Sequence, residues 1–280
     1  MSDAATARSA ELVPEGDRML IALDIDGTLL DQNGVITDVV ARAVSRIQDL
    51  GHEITLATGR SVATMMPVLN ELELTPEYAV CSNGAITLRR DATEPSGYRQ
   101  EYVETFDPKP VLITLRRHLA NARFAVEDTN GYFRYTDQFP DSSIGHGGEQ
   151  VEFEGLLEME ATRVVVISPD HDMEEFARVV DDMGLHRVSY AVGWTAWLDI
   201  APDGVNKATA LERVRENLNI PRDRVVVIGD GRNDIDMLEW AGAHGRGVAM
   251  AHSPEDVLAA ASEVTTALFE DGVARVLDSI

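Results

Sequence analysis

From Met19 onward the chain alternates two hydrophobic rhythms. MLIALDIDG is an unbroken apolar run ending in carboxylates, the pattern of a short strand buried on both faces of a parallel sheet. A stripe of helical period follows: Val40, Val44, Ile47 and Leu50 share one side of a helix that Thr37 can cap and Gly51 can stop. HEITLATGR predicts a second strand, Ser61 to Leu72 a second helix, and YAVCSNGA a third strand. Strands alternating with helices imply an α/β fold built on a doubly wound parallel, Rossmann-like sheet.

The rhythm changes between Ala85 and Asp199. Strands are predicted there at Glu101 to Phe106, Phe124 to Glu127, Tyr132 to Tyr135, Arg163 to Ser168 and Arg187 to Val192, with helices near Val111 to Leu119 and Met173 to Met183. After Pro202 the first rhythm returns with a helix from Lys207 to Leu218, the strand VVVIGD, a helix through Ile235 and Leu238, and the strand GVAM. The expected organisation is a disordered polar tail (1–18), an α/β core (19–84 and 200–280) and an inserted α+β domain (85–199).

Composition narrows the function. The 280 residues hold no apolar stretch of the roughly 18 residues that a membrane-spanning helix needs. The charged start lacks the apolar centre of a signal peptide, and Cys81, the single cysteine, cannot form an intramolecular disulfide; a reducing cytoplasm is the expected compartment. With 24 Lys plus Arg against 48 Asp plus Glu, the net charge of −24 repels nucleic-acid phosphates and anionic membranes, so neither is an expected partner. The acidic residues are dispersed, as on a surface tuned for solubility, including in a salty cytoplasm. Among the cations 22 are Arg and only two are Lys, Lys109 and Lys207, which draws notice to a lysine kept at position 207.

Four segments sit just past the carboxyl ends of predicted core strands or open a core helix: Asp24 with Asp26, Thr58, Asp230 and Lys207. Ligands of open α/β sheets bind outside that edge, where distant segments converge. Asp24 and Asp26 flank Ile25 and precede Gly27, and two carboxylates so close repel unless a cation joins them. An oxygen site of Asp24, the Asp26 carbonyl and Asp230 suits Mg²⁺; a calcium loop is excluded because Leu29 stands where its glycine is required. Carboxylates attack phosphorus when the charge of the phosphoryl group is offset. Lys207 can supply an ammonium, and Thr58 Oγ with the backbone N–H groups of Gly59 and Ile25 can bind phosphate oxygens. Asp26 is then free to protonate the leaving alcohol and later to activate water. In GDGRNDIDML, Asn233 and Asp234 also fit a plain helix cap, but the segment brings another carboxylate to the same edge.

DIDGTLL (24–30), LATGR (56–60), CSNGA (81–85), DGVNKATAL (203–211) and GDGRNDIDML (229–238) together resemble the haloacid dehalogenase-like phosphatases, in particular the Cof-like subgroup with a large α+β (type IIB) cap. The resemblance runs from about Met19 to the C-terminus and implies a Mg²⁺-dependent hydrolase of small phosphorylated metabolites, such as sugar phosphates or phosphorylated cofactors, acting as a monomer or homodimer. It implies Asp24 as nucleophile and Asp26 as acid/base, with Asp24, Asp26, Asp230 and Asp234 grouped around the metal. Thr58, Gly59, Lys207 and Asn233 would grip phosphate, and Asn83 would lie near substrate at the hinge to the cap. One departure is visible: the subgroup commonly has Asn-Ala where this chain has His252 and Ser253.

Substrate choice is expected to lie in the cap, which closes over the phosphate, with Tyr132, Arg134, His146, Trp194 and Trp197 as polar and aromatic candidates and core packing the expected role of the tryptophans. A phosphotransferase or phosphomutase would reuse the same phosphoaspartate, and a non-catalytic binding protein would ordinarily have lost one of Asp24, Asp26, Lys207 or Asp230. A nicotinamide enzyme is disfavoured, because DGTLL follows the first strand instead of a glycine-rich dinucleotide turn.

Overall fold

The computed structural model describes residues 12–139, 148–183, 185, 188–192 and 196–280. The first half of the core contributes β1 (Leu20–Leu23), α1 (Asp38–Asp49), β2 (Glu53–Leu56), α2 (Val62–Glu71) and β3 (Tyr78–Cys81). Next come β4 (Ile86–Arg90), β5 (Tyr98–Val103), α3 (Lys109–His118), β6 (Arg123–Glu127), β7 (Phe133–Tyr135), β8 (Gly148–Gln150), β9 (Arg163–Ile167), α4 (Met173–Met183), β10 (Val188–Val192) and β11 (Trp197–Pro202). The chain ends with α5 (Lys207–Asn217), β12 (Val225–Gly229), α6 (Ile235–Gly242), β13 (Arg246–Ala249), α7 (Glu255–Ala260), β14 (Glu263–Val264) and α8 (Gly272–Leu277).

The core sheet has the order β14-β13-β12-β1-β2, with every pair parallel. β3 joins beyond β2 through a parallel bridge between Ala57 and Val80. All four residues of β1 are fully buried, which is what its unbroken apolar run anticipates. Ile21 and Leu23 pack into the cluster with α1, α2 and α8, whereas Leu20 and Ala22 point to the opposite layer with α5 and α6. Each such buried Leu or Ile contributes about 1.5–3 kcal/mol. α1 follows its sequence pattern: the Thr37 side chain accepts from Val40 N–H, and Val40, Ala43, Val44 and Ile47 form the buried stripe.

The insertion builds a six-stranded sheet, β10-β11-β9-β6-β7-β8, antiparallel except for β7 with β8. α3 and α4 pack on one of its faces over Phe124, Val126, Val164, Val166, Leu198 and Ile200. A doubly wound core with a cap domain is therefore the fold.

Several expectations are corrected in detail. The strand expected at Glu101 to Phe106 runs instead from Tyr98 to Val103, paired with β4, which the sequence reading passed over. Ile86 and Leu88 pack into the core cluster, and β11 runs from Trp197 to Pro202. Of the tail expected to be disordered, residues 1–11 lie outside the described residues, but 12–18 are tied down. Val13 N–H donates to the Leu50 carbonyl at 2.9 Å, and Asp17 and Arg18 pair with Arg224 and Glu53. Among the described residues no helix is long and apolar enough to cross a membrane.

Candidate active site

Because β1 lies between β12 and β2, the residues following these three strands share one end of the sheet. Asp24 follows β1, Thr58 follows β2 by one residue beyond Ala57, and Asp230 follows β12. Lys207 reaches the same place as the first residue of α5, fixed by a capping box in which Asn206 Oδ1 accepts from Thr209 N–H and Thr209 Oγ1 accepts from Asn206 N–H. Its ammonium is fully buried and donates to Asp24 Oδ1 and Asp234 Oδ1, each at 2.6 Å. The other Asp234 oxygen accepts the N–H groups of Asp230 and Gly231 at 2.9 Å. Asp234 thus holds both the lysine and the loop that carries Asp230.

Asp230 is positioned from two sides. Thr28 Oγ1 donates to its Oδ1 at 2.8 Å. Gly27 passes so close that a Cβ there would lie 2.2 Å from Asp230 Oδ2, and its φ of +83° is also one that side chains disfavour.

Asp24, Asp230 and Asp234 each place an oxygen within 4.8 Å of the others. Three carboxylates then share one ammonium in a buried place. Burial, and next the charge of Asp234, raise the Asp24 carboxyl from its ordinary 3.8 to about 7. Burial and the charge of Asp24 raise Asp230 to about 8. For Lys207, burial opposes the charge, but Asp234 and Asp24 outweigh it and hold the ammonium more firmly protonated than usual. The donors are hard oxygens and the local charge is negative, a set that fits a divalent cation of the Mg²⁺ kind.

These shifts carry a sign. Both carboxyls bind protons more tightly in the folded chain than in the unfolded one, so the metal-free fold loses stability as the pH rises from about 4 to about 8. Cation binding requires the ionised carboxylates and relieves their repulsion. Added Mg²⁺ should therefore raise the melting temperature more at about pH 8.5 than at about pH 6. Thermal melts at both pH values check this, and an equal or smaller rise at the higher pH contradicts it.

The residues expected to bind phosphate also meet. Thr58 is buried, and its Oγ1 accepts from Arg60 N–H at 3.0 Å. Asn83 adopts a left-handed backbone at φ 53°, and its Oδ1 accepts from Asn233 Nδ2 at 3.0 Å, next to Gly59. The N–H groups of Ile25, Asp26 and Gly59 donate to no acceptor among the described residues, which leaves three donors beside Asp24.

Asp26 is engaged by a partner. Its carboxylate is turned outward and held side-on by Arg60, at 2.6 and 2.8 Å, rather than standing free over Asp24. Arg60 and Thr28 lie inside the LATGR and DIDGTLL segments, but no local pattern marks them, and only the fold brings them to Asp26 and Asp230. His252 Nε2 stands 3.8 Å from Asp230 Oδ2 and lines, with Asp26, Gly27 and Asp230, a cleft of about 750 Å³. Of the cap candidates, His146 and Trp194 lie outside the described residues. Tyr132 is exposed, Arg134 pairs with Glu149 on the cap surface, and half-buried Trp197 donates to Asp199.

Thr28 gives a direct test of how Asp230 is held. Thr28→Val keeps the side-chain shape and removes the hydrogen bond, so Mg²⁺ affinity should fall about 10–100-fold with little change in melting temperature. Calorimetric titration with Mg²⁺ measures this, and an unchanged affinity would show that Thr28 does not orient the carboxylate.

The sheet-edge aspartates, buried lysine and covering insertion define a phosphoryl-transfer site on a capped α/β fold. The family model for haloacid dehalogenase-like hydrolases matches residues 21–277, and the chain belongs to that family, as a phosphatase-type hydrolase. It is 28% identical over 263 residues to the 5-amino-6-(5-phospho-D-ribitylamino)uracil phosphatase YitU of Bacillus subtilis, covering 92% of this chain and 96% of that one. It is also 28% identical over 279 residues to the pyridoxal phosphate phosphatase YbhA of Escherichia coli, covering 93% and 97%. The solved structure of a subclass IIB sugar phosphatase has the same fold, with a TM-score of 0.77 at 21% identity over 93% of this chain and 98% of that one.

Proposed function

We propose that the protein is a Mg²⁺-dependent phosphatase that hydrolyses phosphomonoesters of small metabolites, sugar phosphates or phosphorylated cofactors, through an aspartyl phosphate on Asp24. The observation that carries this reading is the buried Asp24–Lys207–Asp234 chain with Asp230 beside it. The named activities of the relatives, on a ribityl phosphate and on pyridoxal phosphate, support the substrate class.

Asp24, the Asp26 carbonyl and Asp230 would hold Mg²⁺ with Asp234 behind them, and the bound ion offsets the charge of the nucleophile and of the phosphoryl group. An Asp24 oxygen attacks phosphorus as the bond to the leaving oxygen breaks. Lys207, the Thr58 hydroxyl, Asn233 and the N–H groups of Ile25 and Gly59 hold the phosphoryl oxygens. Asp26, once released from Arg60 and protonated from solvent, gives that proton to the leaving alkoxide, then takes one from the water that attacks phosphorus, and the bond from phosphorus to Asp24 breaks to release phosphate. To do so it exchanges its partner Arg60 for the leaving group. Residues 19–84 and 200–280 serve as the catalytic part and the 85–199 insertion, centred on the six-stranded sheet, as the cap. The working compartment is the cytoplasm, in keeping with one buried thiol.

Phosphate release from a panel of phosphorylated metabolites, with Mg²⁺ and with a chelator, tests the reading. Chelation should lower the rate by at least about 100-fold, and excess Mg²⁺ should restore it. Release that persists in chelator overturns the metal dependence, and no release from any substrate overturns the activity.

A further inference from the structure

The face of the cap sheet opposite α3 and α4 carries a polar group that the chemistry above leaves unused. Glu127 on β6 and Arg163 on β9 are register partners, so their side chains leave the same face side by side. They are 0% and 4% exposed. Arg163 is fixed through Nε, which donates to Asp199 Oδ1 at 2.5 Å, while Trp197 Nε1 donates to the other Asp199 oxygen at 2.9 Å. Glu127 is fixed from the core, where Ser82 Oγ donates to its Oε2 at 2.8 Å.

One donor and one acceptor remain. Among the described residues Arg163 Nη1 and Glu127 Oε1 are buried without a hydrogen-bond partner, and no ion pair joins the two side chains. Buried polar atoms left so are costly, and they mark places where another group completes the bonding.

This pair borders the active site through its partners. Ser82 directly precedes Asn83, and Asp199 lines one small pocket with Asn83, Lys207 and Asn233. Burial opposes the Arg163 charge, but the carboxylates of Asp199, Glu127 and, from the core, Asp26 outweigh it. A group that satisfies both atoms must accept from a guanidinium and donate to a carboxylate. Against ionised Glu127 an anion fails, and against Arg163 a cation fails, whereas a hydroxyl, of a substrate or of the water it displaces, does both.

We propose that Arg163 and Glu127 are specificity-determining residues that together bind a hydroxyl on the alcohol part of the substrate, so that the enzyme selects polyol and sugar phosphates over phosphomonoesters of plain alkyl alcohols. This rests on the phosphatase reading above and assigns its substrate class.

The test compares three substrates of the Mg²⁺-loaded wild-type enzyme: p-nitrophenyl phosphate, erythritol phosphate and butyl phosphate. A site built to hydrogen-bond a hydroxyl rejects the analogue lacking it strongly, so kcat/KM for erythritol phosphate should exceed that for butyl phosphate by at least about 100-fold. Glu127→Leu and Arg163→Met should each shrink that ratio by at least about tenfold, because each leaves the hydroxyl with one partner. A merely structural role would depress both substrates alike and leave the ratio unchanged, which overturns the proposal. Near-equal rates on erythritol phosphate and butyl phosphate in the wild type overturn it without any variant, and turnover of p-nitrophenyl phosphate then leaves the phosphatase reading standing. Turnover of none of the three removes both.

Discussion

Asp24→Asn should lower kcat by at least about four orders of magnitude while leaving the fold intact. The amide keeps the size of the carboxylate, and its oxygen can still accept from Lys207, which now touches Asp24 Oδ1 at 2.6 Å. What it loses is the anionic oxygen that attacks phosphorus, and no neighbour replaces it. Asp230 is bonded to Thr28, Asp234 has both oxygens engaged, and Asp26 is turned to Arg60. The substitution also removes one of three carboxylates that share a single ammonium, so the metal-free melting temperature at about pH 8 should hold or rise, in line with the raised Asp24 pKa. Phosphate release and thermal melts of the two proteins decide the matter together. Activity within tenfold of wild type sinks the nucleophile assignment, and an unfolded variant would show that Asp24 serves the fold first.

The second large effect concerns Lys207. Lys207→Arg retains the charge but should cost at least about a thousandfold in kcat, because a planar, forked guanidinium cannot replace a compact ammonium between two oxygens. The space is closed: Lys207 is 0% exposed, and its two carboxylate partners lie on opposite elements, Asp24 after β1 and Asp234 before α6. Lys207→Ala should in addition destabilise the metal-free fold by about 3–5 kcal/mol, the usual cost of leaving buried charges without their partner. Denaturant titration reads the second effect and steady-state kinetics the first. Near-normal turnover by the arginine variant would place Lys207 outside the phosphate grip.

Much of this protein is legible in local pattern. The both-face burial of β1 follows from MLIAL, and α1 from the 3.6-residue stripe behind Thr37. α5 starts where the sequence reading put it, at Lys207, and α4 matches its expected span. The site residues are legible for a related reason. A parallel βα architecture delivers strand ends to one edge, so Asp24, Thr58 and Asp230 converge whatever lies between them. The rarity of lysine narrowed attention to Lys109 and Lys207, and Lys207, at the start of a core helix, proves to be the buried ammonium.

Tertiary structure decided the partners. That Arg60 holds Asp26 side-on, that Thr28 orients Asp230, and that Asp234 takes both a lysine and two backbone N–H groups depends on which strands are neighbours and how side chains leave them. The strand from Ile86 to Arg90 and the true span of its partner are not legible in local pattern, because only Ile86 to Leu88 are buried and the paired strand is half-buried to exposed, a weaker hydrophobic signature than a strand buried along its whole length on both faces. Glu127 and Arg163 lie 36 positions apart, and only the pairing of β6 with β9 makes them neighbours. Period and punctuation in the chain are local quantities, set by backbone geometry over a few residues. A buried hydrogen bond between distant side chains is set by sheet order and register, which emerge only when the whole core packs.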